Sequence, residues 1–335
     1  MMRRSREIRL AARPMGLPDR QAFATACVDL PCPAPGEVQI RNRWLSIDPA
    51  IRGRMFAAKS YIPPFEVGDV ITGPAIGEIV ESNDPSFIIG DMVLSDAGWR
   101  EYANLPASDV EMLPSMDLPP QAFLGIAGIT GLTSYAGLMR VAELKHGDVV
   151  FVSAASGAVG STACLIAKML GHKVIASAGG PEKTAFLRDE LGVDVAIDYH
   201  AESNMRKALA IAAPEGIDVY FDNVGGPFLE AAIGCANDHA RFAICGMIAG
   251  YNLTEPMAAP RNMTLIPVKR IGMKGFILFD HLDLMPAYRE KLAEWHGEGR
   301  LTWRETVIEG LDNAPQAFVD LFSGGNIGKM LVHLP

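Results

Sequence analysis

The stretch FVSAASGAVGSTACLIAKMLGHKVIASAGG, Phe151 to Gly180, decides how the chain is read. Val149–Ala154 is apolar enough for a fully buried strand, and Ala158–Leu170 sets apolar residues along one face of a helix. The pattern Ala154-x-x-Gly157-x-x-Gly160 therefore falls at a strand-to-helix turn, the context in which glycines carry a dinucleotide-binding meaning. Gly157 lets the turn approach a pyrophosphate, and Gly160 lets the helix pack on the strand. The amides from Gly157 through Ala158 and Val159 to Gly160 sit at the positive end of the helix dipole. Ala154 stands where the commonest form of the motif has its first glycine. A glycine trio alone is weak; the strand–helix frame around it gives it weight.

Working outward, the same rhythm continues. KVIASA is followed by the helical PEKTAFLRDEL, VDVAID by a polar helix near 202–213, DVYFDNV by a helix near 227–236, and RFAICG closes the series. Repeated strand–helix alternation implies right-handed crossovers and a parallel sheet covered on both faces, an α/β fold of the Rossmann-type doubly wound kind. The period changes near residue 122. Before it, EVQIRNRWLSI (37–47), DVITGPAIGEIVES (69–82) and DMVLSDAGWREYANL (91–105) read as strands broken by Pro and Gly turns. After the α/β region, TWRETVIEGLDNAPQAFVDLFSGGNIGKMLVHLP reads as strand, helix and closing strand. The expected organisation is a β-rich lobe over 1–122, a nucleotide-binding domain over 123–301, and a return to the first lobe over 302–335.

Composition narrows the function. The 335 residues are 49% hydrophobic with a formal charge of −9, and no Lys/Arg cluster is interleaved with aromatics, so a nucleic-acid partner is not expected. MMRRSREIRL is basic, but no apolar signal core follows, and no segment approaches the roughly 18 apolar residues of a bilayer span. A cytoplasmic chain without membrane contact is the simplest reading. Five irregularly placed cysteines, Cys27, Cys32, Cys164, Cys235 and Cys245, suggest reduced and mostly buried thiols.

An NADH site usually carries an acid at the end of the second strand to bind the adenosine ribose. Here that place reads Ala176-Ser177-Ala178-Gly179-Gly180, followed by Lys183. A carboxylate would repel a 2′-phosphate, whereas a charge-assisted contact from Lys183 would contribute about 1.5–3 kcal/mol, one to two decades of discrimination. NADPH is the expected cofactor. No zinc set is legible for the first lobe: all seven histidines lie at or beyond His146, and residues 1–145 contain only Cys27 and Cys32. Neither a GxSxG elbow nor a P-loop occurs. With no metal expected, the substrate must itself accept hydride readily, as a carbon–carbon double bond conjugated to a carbonyl does.

At this point specific motifs accumulate: WLSIDPAIRGRM (44–55), SDAGWREYA (95–103), GITGLTSYAGL (128–138), SAASGAVGS (153–161), GGPEKTAFL (179–187), FDNVGG (221–226), CGMIAGYN (245–252), LDNAPQAF (311–318) and GGNIGKMLV (324–332). The chain resembles the zinc-independent medium-chain dehydrogenase/reductases of the prostaglandin reductase, alkenal double-bond reductase and bacterial curcumin reductase group. The resemblance implies a discontinuous GroES-like β-rich catalytic domain, NADPH as coenzyme, small α,β-unsaturated ketones or aldehydes as substrates, and a homodimer paired through the GFILF segment. It assigns the phosphate turn to Gly157–Gly160, the adenosine 2′-phosphate to Lys183 and Tyr199, and a cofactor contact to Asn223. The nicotinamide half falls to Cys245, Gly246, Met247, Ile248, Tyr251, Phe276, Ile277, Leu278 and Asn326. On composition alone GFILF reads equally as a core strand, Asn223 as a turn former and Asn326 as a helix-end residue.

Tyr251 is the candidate catalytic residue: a phenol donates at neutral pH and suits a developing enolate. Many relatives carry an aromatic residue after Asp-Pro where this chain has Ala50, so their substrate preferences do not transfer. The loop NLTEPMAAPRNM (252–263) offers methionines as an adaptable wall. A quinone reductase on the same fold, and a non-catalytic NADPH-binding protein, remain as alternatives.

Overall fold

The computed structural model describes residues 2–335 and divides into two units, Met1–Leu124 with Glu305–Pro335, and Gly125–Arg304. The first unit begins with β1 (Arg3–Leu10), β2 (Phe23–Leu30), β3 (Glu37–Ser46), the one-turn helix α1 (Ile51–Arg54), β4 (Ala75–Ser82), β5 (Met92–Ser95), β6 (Tyr102–Pro106) and β7 (Val110–Met112). β1 and β2 form an antiparallel pair of their own. β3 pairs antiparallel with both β4 and β6, β4 with β5, and β5 with β7.

Two sequence expectations need correction here. The 91–105 stretch is two strands, because Asp96–Glu101 leaves the ladder to carry Trp99 into the core. The Trp99 indole Nε1 donates to Ser46 O at 3.2 Å, and its ring packs on Phe23 and Phe318 with centroids 5.8 and 5.9 Å away. The thiols are not mostly buried: Cys164 is buried, but Cys27 and Cys32 are exposed and Cys235 and Cys245 intermediate. Cys27 lies on β2 in line with Thr25 and Asp29, alternate residues of one strand face that are all exposed.

The second unit contains α2 (Ile129–Ala136), β8 (Val149–Val152), α3 (Ala158–Met169), β9 (Lys173–Ala178), α4 (Pro181–Ala185), β10 (Val195–Asp198), α5 (Met205–Ala212), β11 (Ile217–Asp222), α6 (Gly226–Cys235), β12 (Ala236–Ile244), α7 (Leu265–Lys269), β13 (Gly272–Gly275) and α8 (Met285–Gly297). The strands are parallel, in the order β10-β9-β8-β11-β12-β13. The chain runs outward from β8 to β10, then crosses back to β11 and runs the other way. Right-handed crossovers in opposite directions place helices on opposite faces and open a crevice at the carboxyl ends of β8 and β11. Apart from Val149 and Asp218 these central strands are buried, with Phe151 stacked on Tyr220 at 5.0 Å.

GFILF is not a strand throughout. The strand stops at Gly275, and Leu278–Leu284 is 3-10 helix. Phe276 turns its ring inward onto Phe221, centroids 6.3 Å apart, so its burial ends the ladder.

The chain then supplies β14 (Glu305–Glu309), α9 (Ala314–Phe322) and β15 (Lys329–His333) to the first unit. β15 pairs antiparallel with β3 and parallel with β14. Its first residue is an almost fully buried lysine: Lys329 Nζ donates to Ile47 O and to Asp48 Oδ1, both at 2.8 Å, while Ser46 Oγ donates to Asp48 Oδ2. No helix among the described residues is long and apolar enough to cross a membrane. Replacing Lys329 by Ala strands the Asp48 carboxylate and is expected to cost about 3 kcal/mol, measured by urea unfolding; a loss below about 0.5 kcal/mol would show that the pair does not fasten the returning strand.

Candidate functional site

The turn after β8 is built by backbone proximity. Ala154, at the motif's first position, is held at φ 46°, a left-handed conformation that costs a non-glycine residue roughly 1–2 kcal/mol. That conformation aims Ala154 O at the incoming helix: a Cβ on Gly160 would lie 2.3 Å from it and 2.8 Å from Ala155 Cα. Only glycine fits there. At Gly157 the same test finds just Ala154 O at 3.4 Å, ordinary contact, so the fold itself leaves this position open to an approaching group. Gly157 is the N-cap of the twelve-residue α3 and brings no capping side chain, which leaves the first amides of the helix to another acceptor. These features fit a pyrophosphate.

Beside it, β11 ends in a buried carboxylate. Asp222 Oδ1 accepts from Tyr220 Oη (2.7 Å), Ser153 Oγ (3.2 Å), Val224 N (2.9 Å) and Gly225 N (2.8 Å), while Oδ2 is buried without a hydrogen-bond partner among the described residues. Gly225 takes φ 73° to bring its amide round. Burial holds the carboxyl above its usual range despite these donors. Asn223 adds a second tie, its Nδ2 donating to Ser153 O at 2.8 Å and its N to Ser153 Oγ at 3.0 Å. The ends of β8 and β11 are thereby clamped together.

The segment after β12 is laid along this clamp. Cys245 N and Gly246 N donate to Asp222 O at 2.9 and 3.0 Å, Ile248 N to Asn223 O at 3.2 Å, and Ala249 N to Val224 O at 3.2 Å. Tyr251 ends the 3-10 turn Ile248–Gly250, and a Cβ on Gly246 would meet its hydroxyl at 3.1 Å. The Tyr251 phenol therefore folds back over the start of its own loop. Burial, reinforced by Asp222, pushes the Cys245 thiol up to about 12, which removes it as a nucleophile at neutral pH. Within 252–263, Met257 covers the glycine turn: a Cβ on Gly225 would lie 3.3 Å from its Cε and 3.0 Å from Met247 Cγ. Arg261, in ion contact with Glu230 at 2.8 Å, and Asn262 Nδ2, donating to Glu230 O at 2.8 Å, fasten the loop to α6.

At the β9 end, Asp198 Oδ1 accepts from Gly180 N at 2.7 Å and His200 N at 3.0 Å; these amides, Gly180 first, hold its carboxyl below the usual range. Lys183 is half-buried and its ammonium is lowered by desolvation. The Tyr199 phenol is raised by desolvation and then by Asp198, so it keeps its proton and donates.

The structure thus gathers Gly157–Gly160, Asn223 and Cys245–Tyr251 at the ends of three neighbouring strands, with Lys183 and Tyr199 at the next two. Phe276 is buried in the core, with Ile277 and Leu278 partly exposed beyond it. Asn326 belongs to the first unit, where its Nδ2 donates to Gly328 O at 2.7 Å in the turn before β15. Sequence reasoning missed Asp222, Ser153 and Tyr220. The available signal was an acid closing an apolar strand immediately before Asn-Val-Gly-Gly. Among the described residues, no group of three or more His, Cys, Asp or Glu side chains is arranged to hold a metal ion.

Comparison with known proteins matches residues 6–113 to a family described as the N-terminal domain of oxidoreductase and 158–294 to one described as zinc-binding dehydrogenase. The chain is 37% identical to an NADPH-dependent curcumin reductase of Escherichia coli over 99% of this chain and 97% of that one. It is 42% identical to an NADP(+)-dependent 2-alkenal reductase of Nicotiana tabacum, over 88% and 87% of the two chains. A crystal structure of CurA in complex with NADPH from Vibrio vulnificus superposes with a TM-score of 0.93 at 39% identity, covering 98% of this chain and 99% of that one.

Asp222→Ala would leave Tyr220 Oη, Ser153 Oγ and two amides without their acceptor and is expected to cost about 3 kcal/mol or more. Asp222→Asn keeps an acceptor in place. Because the folded carboxyl lies above its ordinary value of 3.8, its stabilising contribution is complete below that value and is lost as pH rises through the folded value. Wild type minus Asp222→Asn stability, from urea titrations, should therefore fall from pH 4 towards neutrality; a rising difference would contradict the burial argument.

Proposed function

The chain belongs to the zinc-independent group of the medium-chain dehydrogenase/reductase family, and on that premise we propose that it is an NADPH-dependent reductase of the conjugated double bond of α,β-unsaturated ketones and aldehydes. The observation that carries this reading is the near-full-length identity to a curcumin reductase and a 2-alkenal reductase, two enzymes named for conjugated carbonyl substrates. The open Gly157, the uncapped start of α3, and Lys183 and Tyr199 beyond the ends of β9 and β10 support the coenzyme assignment.

When bound, the reduced nicotinamide supplies hydride to the β carbon of the enone. The chain's own residues hold and complete the reaction. Amides of Ala158, Val159 and Gly160 would take the pyrophosphate, with Gly157, whose own amide donates to Ala154 O at 3.1 Å, leaving room for its approach; Lys183 and Tyr199 would take the 2′-phosphate, and the Cys245–Tyr251 segment would border the ring. The Tyr251 hydroxyl would donate to the substrate oxygen as enolate charge develops and help deliver a proton to the α carbon. Met257 and Met247 would give the pocket an apolar and adaptable wall. We place a second copy of the chain against β13, the strand at one end of the second unit's sheet.

The test is NADPH consumption over a panel of enones, aryl enones, alkenals and quinones with product identification. Saturated ketone or aldehyde bearing hydride at the β carbon is expected; turnover confined to quinones, giving hydroquinone or radical, would replace this reading with a quinone reductase. Tyr251→Phe is expected to slow single-turnover enone reduction about tenfold or more, and an unchanged rate would remove Tyr251 from the chemistry.

A further inference from the structure

We infer that the imidazole of His200 is a specificity contact for the 2′-phosphate of the dinucleotide, a third donor beside Lys183 and Tyr199; the inference rests on the coenzyme reading above.

In a doubly wound sheet the adenosine ribose comes to the end of the second strand, here the end of β9. The backbone at that end is bare, Gly179 followed by Gly180. Two polar side chains converge on it. A Cβ on Gly179 would lie 2.7 Å from His200 Cε1, 2.8 Å from His200 Nε2 and 2.8 Å from Tyr199 Oη. The ring edge bearing Nε2 and the phenol oxygen therefore occupy the same small space above the strand end.

Their placement is fixed from below. One oxygen of Asp198 accepts both the Gly180 amide, 2.7 Å away, and the His200 amide, 3.0 Å away, tying the turn that carries His200 to the end of β9. Tyr199 is wedged edge-on between Phe228 and His200, with ring centroids 5.3 and 4.7 Å distant. Neither ring nitrogen of His200 has a hydrogen-bond partner among the described residues, although the residue is exposed and its backbone is held. Asp198 is a carboxylate kept ionised in the same turn, so a phosphate arriving here meets a negative charge and needs compensating donors. Lys183 on α4 and the protonated Tyr199 phenol supply two. The imidazole, which carries an N–H in either tautomer, supplies the third. A ribose 2′-hydroxyl has no comparable demand for these donors, so the contact discriminates between coenzymes.

The experiment is equilibrium titration of the full chain with NADPH, NADH and 2′,5′-ADP, followed by protein fluorescence and calorimetry, for the parent, His200→Phe, His200→Ala and Lys183→Ala. His200→Phe keeps a ring over Gly179 and removes only the nitrogens. Both His200 variants are expected to bind NADPH and 2′,5′-ADP about tenfold more weakly while NADH affinity stays within about twofold, which also reports intact folding. Equal weakening toward NADPH and NADH, or no change toward either, overturns the inference. If the parent itself shows no preference for NADPH, or Lys183→Ala leaves that preference whole, the assignment of the 2′-phosphate to this strand end fails first and takes the inference with it.

Discussion

The second unit turns on a single carboxylate oxygen. Asp222 Oδ1 gathers the Tyr220 phenol, the Ser153 hydroxyl and two amides of the following turn, and the main-chain oxygen of the same residue accepts two amides from the segment after β12. Three strand ends are thereby brought to one point at the crevice where a doubly wound sheet binds its ligand. The burial is costly, since the charged form is desolvated and Oδ2 has no hydrogen-bond partner among the described residues. A fold that retains such a group at the mouth of its crevice gains a fixed geometry for the Asn223 turn and for the loop that carries Tyr251.

The phosphate turn next to it stores strain of another kind. Ala154 adopts a left-handed conformation without being glycine, and its carbonyl then defines how closely α3 approaches β8. Gly160 answers a steric demand made by the chain, whereas Gly157 answers none that the chain itself makes. That difference separates a packing glycine from one whose openness serves a ligand. The Asp222 clamp grips Ser153 and the strained turn begins at the next residue, Ala154, so the two features are joined through one peptide bond.

The first unit shows the same economy around Lys329. The residue that opens the returning strand neutralises Asp48, which itself precedes Pro49 and the exposed Ala50. A chain end and an early loop, far apart in sequence, are thus set by one ion pair and one carbonyl.

Local patterns in the sequence determined the alternating strand–helix rhythm, the position of the glycine turn, the absence of an acid after β9 and the strand–helix–strand character of the tail. Each depends on a period of two or 3.6 residues, or on one residue's backbone freedom, and so is written within a few neighbours. Only the tertiary structure decided which polar groups meet. Ser153 finds Asp222 across sixty-nine residues, His200 comes to rest on Gly179, Phe276 ends its strand by burying its ring against Phe221, and Trp99 breaks a ladder to reach Phe23 and Phe318. The exposure of Cys27 was equally illegible, because it depends on which face of β2 the fold leaves uncovered. Such encounters are fixed by the sheet order, which no local period encodes.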